Sequence, residues 1–230
     1  KEVDVTDLLG RYEVEANKIL LEKNIRNKVV LITGAGGSIG SEISRQVLNH
    51  HPKKVLILDS SEYGLYEIKN VLDALEKPIE IEAFIANVTN KKRISNICKV
   101  NNVDTIYHTA AYKHVPLVEN NPFEGVYNNI FGTKSCLEAA IEESVETFVL
   151  ISTDKAVRPT NVMGATKRFA EMILQAYSSE ISIGSSTRMT MVRFGNVLGS
   201  SGSAIPLFQQ QIRDGGPITV THSEVIRYFM

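Results

Sequence analysis

From Val29 onward the chain alternates short apolar runs with amphipathic stretches, and this alternation restricts the fold more than any other feature of the sequence. Runs at 29–33, 54–58, 79–85, 104–109, 146–152 and 188–194 predict strands. Between them, Leu65, Ile68, Val71, Leu72 and Leu75 fall on one helical face. So do Ile94, Ile97 and Cys98, and later Ile130, Leu137, Ala140 and Ile141. Ser61 and Asn90 stand where N-caps are expected. Strand–helix alternation of this length predicts α/β architecture: a doubly wound parallel sheet with helices on both faces. Residues 1–27 are polar and lack a strong period, although 17–26 suits a short surface helix. Beyond 194 the alternation stops. Gly, Ser and Pro gather at 195–206, then 207–213 reads as a helix and 217–221 as a short strand. The expected divisions are a lead-in at 1–27, the α/β domain at 28–194 and a further segment at 195–230.

Composition narrows the function classes. Of 230 residues, 43% are hydrophobic and 22% charged, which fits a folded chain and excludes disorder. Lys plus Arg number 25 against 26 for Asp plus Glu, a net charge of −1. That balance argues against a broad grip on nucleic acid or anionic membrane, but leaves room for a small anion pocket. Cys98 and Cys136 alone build neither a disulfide framework nor a cysteine-based zinc site. Their apolar, helical settings predict buried free thiols and a reducing, cytoplasmic compartment. No metal site is expected. Apolar runs such as Val29-Val30-Leu31-Ile32 are too short to span a bilayer, and no signal peptide opens the chain. The start at Lys1 and the unterminated Tyr228-Phe229-Met230 lead us to expect a segment of a longer protein, with room for a membrane anchor upstream.

The first strand runs directly into Gly34-Ala35-Gly36-Gly37-Ser38-Ile39-Gly40, with a helix expected from about Ser41. Glycines at 34, 37 and 40 suit a tight turn, close approach of a pyrophosphate, and close helix–strand packing. The helix N-terminus then offers free N–H groups to the phosphates. Asp59 ends the second strand, 19 residues after Gly40, where a carboxylate accepts both hydroxyls of an adenine ribose and repels the extra phosphate of NADP. No ATP-type phosphate loop is present. Together these residues predict NAD as cofactor.

A second cluster follows the fifth strand, which ends in Ser152-Thr153-Asp154-Lys155. Open α/β sheets bind ligands at the carboxyl ends of their strands. Neighbouring strand residues face opposite ways, so Asp154 and Lys155 reach one pocket only if the backbone has already turned. Met163 and Lys167 are four apart on the next expected helix, hence on one face.

The turn Thr33-Gly34-x-x-Gly37-x-x-Gly40, the stretch Ser152-Thr153-Asp154-Lys155-Ala156 and the helix bearing Lys167 resemble the extended short-chain dehydrogenase/reductases. His108-Thr109-Ala110-Ala111-Tyr112-Lys113-His114-Val115-Pro116 and Asn161-Val162-Met163-Gly164-Ala165-Thr166-Lys167-Arg168 are similar to one branch. That branch is the nucleotide-sugar 4,6-dehydratases of bacterial polysaccharide and glycoprotein synthesis, acting on UDP-N-acetylglucosamine. Asp7-Leu8-Leu9-Gly10-Arg11 matches its long members, which carry membrane helices upstream. The resemblance implies a Rossmann-like NAD-binding domain, followed in 195–230 by the start of a smaller cap for the UDP-sugar. It assigns Ser38, Ile39, Val88, Ala110 and Ala111 to the cofactor beside the glycines and Asp59. It also allows a homo-oligomer, and a parent protein anchored at the cytoplasmic face of the inner membrane only through segments outside this chain.

Two positions depart from the superfamily pattern. Its Tyr-x-x-x-Lys is Met163-x-x-x-Lys167 here, a replacement the long dehydratases share. The acidic residue that meets the adenine amino group is Asn87, whose carbonyl oxygen is expected to accept the same bond.

By the resemblance, hydride leaves sugar C4, a base takes the C5 proton, an acid protonates the departing C6 hydroxyl, and the hydride returns to C6. It implies Asp154 as acid, Lys155 as C5 base, Thr153 near the C4 oxygen and Lys167 at the nicotinamide ribose. The acceptor of the C4 hydroxyl proton stays open between Asp154 and a water. Asn196 resembles a diphosphate-contacting asparagine, and Lys113 is placed to reach sugar or phosphate. Pro206, His222 and Arg227 fall where the cap begins. Two alternatives remain: a UDP-sugar 4-epimerase or reductase on the same scaffold, and a non-catalytic NAD-binding module.

Overall fold

The computed structural model describes residues 16–180, 187–197, 204–220 and 224. Its elements in chain order are α1 (Lys18–Lys23), β1 (Val29–Thr33), α2 (Ser38–Leu48), β2 (Lys54–Asp59), α3 (Glu62–Asp73), β3 (Glu80–Ile85), α4 (Lys91–Asn101) and β4 (Thr105–His108). There follow α5 (Val115–Asn120), α6 (Pro122–Val126), a π-helical turn (Tyr127–Phe131), α7 (Gly132–Glu142), β5 (Thr147–Thr153) and a 3₁₀ turn (Asp154–Ala156). The chain continues through α8 (Val162–Glu180), β6 (Arg188–Phe194) and α9 (Ala204–Arg213). Asn17–Arg193 form one compact unit, and the chain from Phe194 belongs to a second.

The six strands form one sheet in the order β3-β2-β1-β4-β5-β6. β1 pairs in parallel with β2 and with β4, β2 with β3, and β4 with β5. This is the doubly wound Rossmann order, in which connections depart in opposite directions from β1 and leave a crevice beyond the ends of β1 and β4.

The two-residue strand period sorts the core into two layers. Val29, Leu31, Leu56, Leu58, Ile106, Phe148 and Leu150 meet α4, α7 and α8 on one face. Val30, Ile32, Val55 and Ile57 meet α2 and α3 on the other. Every residue of β1 is buried, which is why a parallel central strand reads as an unbroken apolar run. The edge strand β3 is half exposed, and its Glu80 and Glu82 pair with Lys54 at 2.8 and 2.7 Å, a charged edge that discourages further strand pairing.

Ser61 and Asn90 cap α3 and α4 through their side chains, as expected. Cys98 and Cys136 are free and buried, and burial pushes the Cys98 thiol up to about 12. Some expectations need correcting. The helix after the glycine turn begins at Ser38, three residues early, so Gly40 sits inside its first turn. Val71 and Leu75 are exposed, because Leu65, Ile68 and Leu72 alone fill the buried stripe of α3. α9 starts at Ala204. Residues 217–220 form no strand, and Thr221 lies outside the described residues. No described helix is long and apolar enough to cross a membrane.

Phe148 is fully buried and lies 5.8 Å, ring to ring, from His108. Phe148→Ala should cost about 3–5 kcal/mol in a denaturant titration, the usual range for an aromatic cavity in a packed core.

Candidate active site

The glycine turn is built from unequal parts. Gly34 takes the left-handed conformation (φ +71°), and a Cβ there would fall 2.6 Å from the Ala110 backbone at the end of β4. A Cβ on Gly40 would fall 2.1 Å from the Gly34 carbonyl oxygen. These two glycines are fixed by the fold. Gly37 is different: the nearest protein atom to its missing Cβ is the Gly34 oxygen, at an unstrained 3.4 Å. What Gly37 leaves clear is the approach to the first turn of α2, where Ser38 and Ile39 stand. An open approach at a helix N-terminus suits a pyrophosphate.

Asp59 closes the turn from β2. Its Oδ2 accepts from Gly36 N at 2.9 Å and its Oδ1 from Ser61 N at 2.9 Å. A carboxylate has about four acceptor sites, so both oxygens retain capacity for a ribose diol. Asn87 follows β3, and its Oδ1 accepts from both the backbone N–H and the hydroxyl of Thr89, at 2.9 and 2.8 Å. The expected acceptor for an adenine amino group is thus engaged within the chain, and the Asn87 amide NH₂ is the side chain's complementary donor. Val88 is buried against Gly132, where a Cβ would fall 2.7 Å from a Val88 methyl.

At the end of β5 the backbone does turn. Thr153 is extended (φ −142°, ψ 155°) and the next three residues form the 3₁₀ turn. The turn brings three side chains together: Thr153 Oγ1 donates to Asp154 Oδ1 at 2.9 Å, and Lys155 Nζ donates to the same oxygen at 3.1 Å. Desolvation works to raise the Asp154 pKa, but the bonds from Thr153 and Lys155 outweigh it and hold the carboxyl below its usual range. Asp154 is therefore ionised at neutral pH. Gly164 lets α8 come close, for a Cβ there would fall 2.4 Å from the Lys155 carbonyl oxygen.

Met163 and Lys167 lie on the buried face of α8, 3% and 5% exposed. Lys167 Nζ donates to the Ile151 carbonyl at 2.7 Å, and burial lowers its pKa to about 8. An ammonium has three donors, so capacity remains for ribose hydroxyls.

Sequence reasoning missed several residues that connect these parts. His108 is fully buried, and burial with the nearby Lys167 charge lowers its pKa to about 3, so it is neutral. Thr133 gives its hydroxyl proton to Asn129 O at 2.7 Å, so His108 Nε2–H must donate to Thr133 Oγ1 at 3.1 Å. His108 Nδ1 then accepts from Thr33 Oγ1 at 2.8 Å. Asn129, on the π-helical turn, bonds Tyr112 N and O at 2.7 and 3.0 Å and Thr166 Oγ1 at 3.0 Å. The chain of bonds runs from the end of β1 to α8. Glu171, one helical turn beyond Lys167, was also missed, though an acidic residue at that spacing in an apolar helix face was its visible signal. Lys113 is exposed, and desolvation lowers its pKa. Asn196 and Pro206 belong to the second unit, while Asp7–Arg11, His222 and Arg227 lie outside the described residues.

A family model described as polysaccharide biosynthesis protein matches residues 30–230. The chain belongs to that family, within the extended short-chain dehydrogenase/reductases. It is 52% identical, over its whole length, to the capsular polysaccharide biosynthesis protein CapD of Staphylococcus aureus, of which it spans 38%. It is 35% identical to a UDP-N-acetylglucosamine 4,6-dehydratase (inverting) of Campylobacter jejuni, with 88% of the chain matching 59% of that protein. It is also 35% identical to a UDP-glucose 4-epimerase of Rickettsia akari, over 89% of the chain and 59% of the relative. Among solved structures, the dTDP-glucose 4,6-dehydratase DesIV of Streptomyces venezuelae, with NAD and TYD bound, superposes with a TM-score of 0.72 at 26% identity. That match covers 83% of this chain and 63% of DesIV. The chain thus spans about two-fifths to three-fifths of the length of these proteins.

The geometry separates the roles of the glycines in the turn. Gly37→Ala should keep the parent's stability to within about 1 kcal/mol, the scale of an N-cap change, yet lose dinucleotide affinity in calorimetry. Gly40→Ala should lose both. A second expectation concerns acid. The Glu171 carboxylate has no exposed side-chain surface and is held down from 4.5 to about 2: desolvation opposes this, and bonds from Arg193, Ser152 and Arg168 overcome it. A depressed folded pKa means stability present above pH 4.5 and lost as pH falls toward 2. Denaturant midpoints measured between pH 5 and pH 3 should fall less in Glu171→Gln than in the parent.

Proposed function

We propose that the protein is an NAD-dependent UDP-N-acetylglucosamine 4,6-dehydratase serving polysaccharide or glycan synthesis. The observation that carries this reading is the turn at the end of β5, where a hydroxyl, a carboxylate and an amine share one hydrogen-bonded cluster beside Lys167. The open approach at Gly37 and the Asp59 carboxylate support NAD. NAD, when bound, takes the hydride from sugar C4 and later returns it to C6.

The remaining steps fall to side chains. A C4 hydroxyl donating to Thr153 Oγ1 has a two-bond path to Asp154, which is ionised and able to accept its proton. In this reading Asp154 serves as the base where Met163 offers none. Lys155 exchanges its ammonium proton with solvent, to which its side chain is 37% exposed, and acts in its neutral form. The neutral amine then takes the C5 proton made acidic by the C4 ketone. Protonated Asp154 gives its proton to the C6 hydroxyl, which leaves as water. Lys155 returns a proton to C5 as the hydride reaches C6, and solvent restores its charge. Water is lost and both side chains end as they began.

An epimerase returns its hydride to C4 and has no use for an acid at C6. The buried thioether of Met163 also gives such a reaction no proton acceptor at that position. A non-catalytic module has no use for the Thr153–Asp154–Lys155 cluster.

In the whole protein, UDP-N-acetylglucosamine should be converted to a 4-keto-6-deoxy product, read by mass spectrometry. Lys155→Met should still transfer hydride, giving an NADH-like absorbance, while solvent exchange at C5 stops. Asp154→Asn should slow the first hydride transfer as well as the loss of water. Each defect should be roughly 10²–10⁴ in rate, the usual worth of a placed acid or base. C5 exchange at the parent's rate in Lys155→Met would remove that residue from the mechanism.

A further inference from the structure

The end of β5 is gripped by α8 at two consecutive residues. Lys167 Nζ bonds the Ile151 carbonyl, and one helical turn on, Glu171 Oε1 accepts from Ser152 Oγ at 2.7 Å. The same Oε1 accepts from Arg193 Nε of β6 at 2.7 Å. Glu171 Oε2 accepts from Arg168 Nη1 at 3.0 Å and from the second nitrogen of the Arg193 fork. All four acceptor sites of a carboxylate with no exposed surface are filled. Buried ion networks seldom add net stability over an apolar filling, so stability alone does not explain this one. Its donors come from β5, β6 and α8, three elements that meet just before Thr153.

We propose that Glu171 is a positioning residue. It fixes the end of β5 against α8, so that the Thr153–Lys155 turn and Lys167 hold their places, and it supplies the negative charge that keeps Lys167 an ammonium ion. Burial pulls the Lys167 pKa down and the Glu171 charge opposes that pull. Other charged or titratable groups on the packed elements are His108 of β4, which is neutral; Asp154 and Lys155 of the turn; Glu119 of α5; Glu124 of α6; Tyr127 of the π-helical turn; and Lys134, Cys136, Glu138 and Glu142 of α7. Without the Glu171 charge, Arg168 and Arg193 would lose their counter-ion and add to the pull on Lys167.

The positioning half rests on the proposed reaction and the charge half does not, so the test reads both. In the whole protein labelled with ¹³C-lysine, the Lys167 resonance, assigned through Lys167→Arg, gives its titration midpoint without substrate. Glu171→Gln should move that midpoint down by about one pH unit and lower kcat on UDP-N-acetylglucosamine roughly 10²-fold. Ser152→Ala keeps every charge, so it should leave the midpoint in place and lower kcat with KM little changed. An unmoved midpoint in Glu171→Gln overturns the charge role, and a parental kcat in Ser152→Ala overturns the positioning role. If Glu171→Gln does not fold, Arg168→Gln replaces it. Removing one cation should then raise the midpoint, and no change would again overturn the charge role. A parent protein inactive on this sugar while the midpoints shift as expected would count against the proposed substrate, leaving the role of Glu171 in Lys167 charge standing.

Discussion

The constraint on which the rest depends is the position of β1. It is buried along its full length and has its backbone paired on both sides, to β2 and β4, so no ligand can reach it except beyond its last residue. There the chain must leave a parallel sheet whose neighbouring connections diverge. Gly34 accomplishes the exit in a conformation that side chains disfavour, packed directly on the Ala110 backbone. The same geometry that solves the exit also creates the crevice and points the first turn of α2 into it. Cofactor site and fold are here one problem with one solution.

A second constraint links that crevice to the chemistry. Beneath it a line of hydrogen bonds, Thr33–His108–Thr133–Asn129–Thr166, crosses the core and ties the end of β1 to α8. Its direction is set, because Thr133 has a single hydroxyl proton and gives it to a backbone carbonyl. A charged His108 would break that order and repel Lys167, and burial prevents the charge. The π-helical turn presents Asn129 so that it bonds both backbone groups of Tyr112 and the Thr166 hydroxyl. Such turns often mark functional sites in helices.

Much of this was legible in the sequence, for physical reasons that also explain the failures. β1 is covered on both faces and reads as a continuous apolar run, so it falls where its run predicts; β6 does too, and the other four end within a residue or two. The turn after β5 was legible as well, since Asp154 and Lys155 could share a pocket in no other way. The start of α2 was not, because Gly37 and Gly40 resemble loop residues until packing is seen to require them inside and beside a helix. Nor was Asn129, whose role depends on a local change of helical pitch that no periodicity records. Short apolar stretches such as 217–221 look like strands only when no sheet edge has to be found for them.

The absence of a tyrosine at 163 reorganises the site rather than weakening it. A phenol there would lie on the face of α8 that also carries Lys167, and its proton would be governed by that lysine. With Met163 the buried face of α8 carries Thr166, Lys167 and Glu171 but no phenol, and Asp154 and Lys155 stand on the 3₁₀ turn that Gly164 lets the helix approach. In the proposed reaction Asp154 takes the place of the phenol, as an acceptor already ionised at neutral pH and ion-paired to Lys155. In that reaction base and acid are one residue used twice. The close contact of Gly164 with the Lys155 carbonyl holds the turn bearing Asp154 and Lys155 against the helix that carries Lys167.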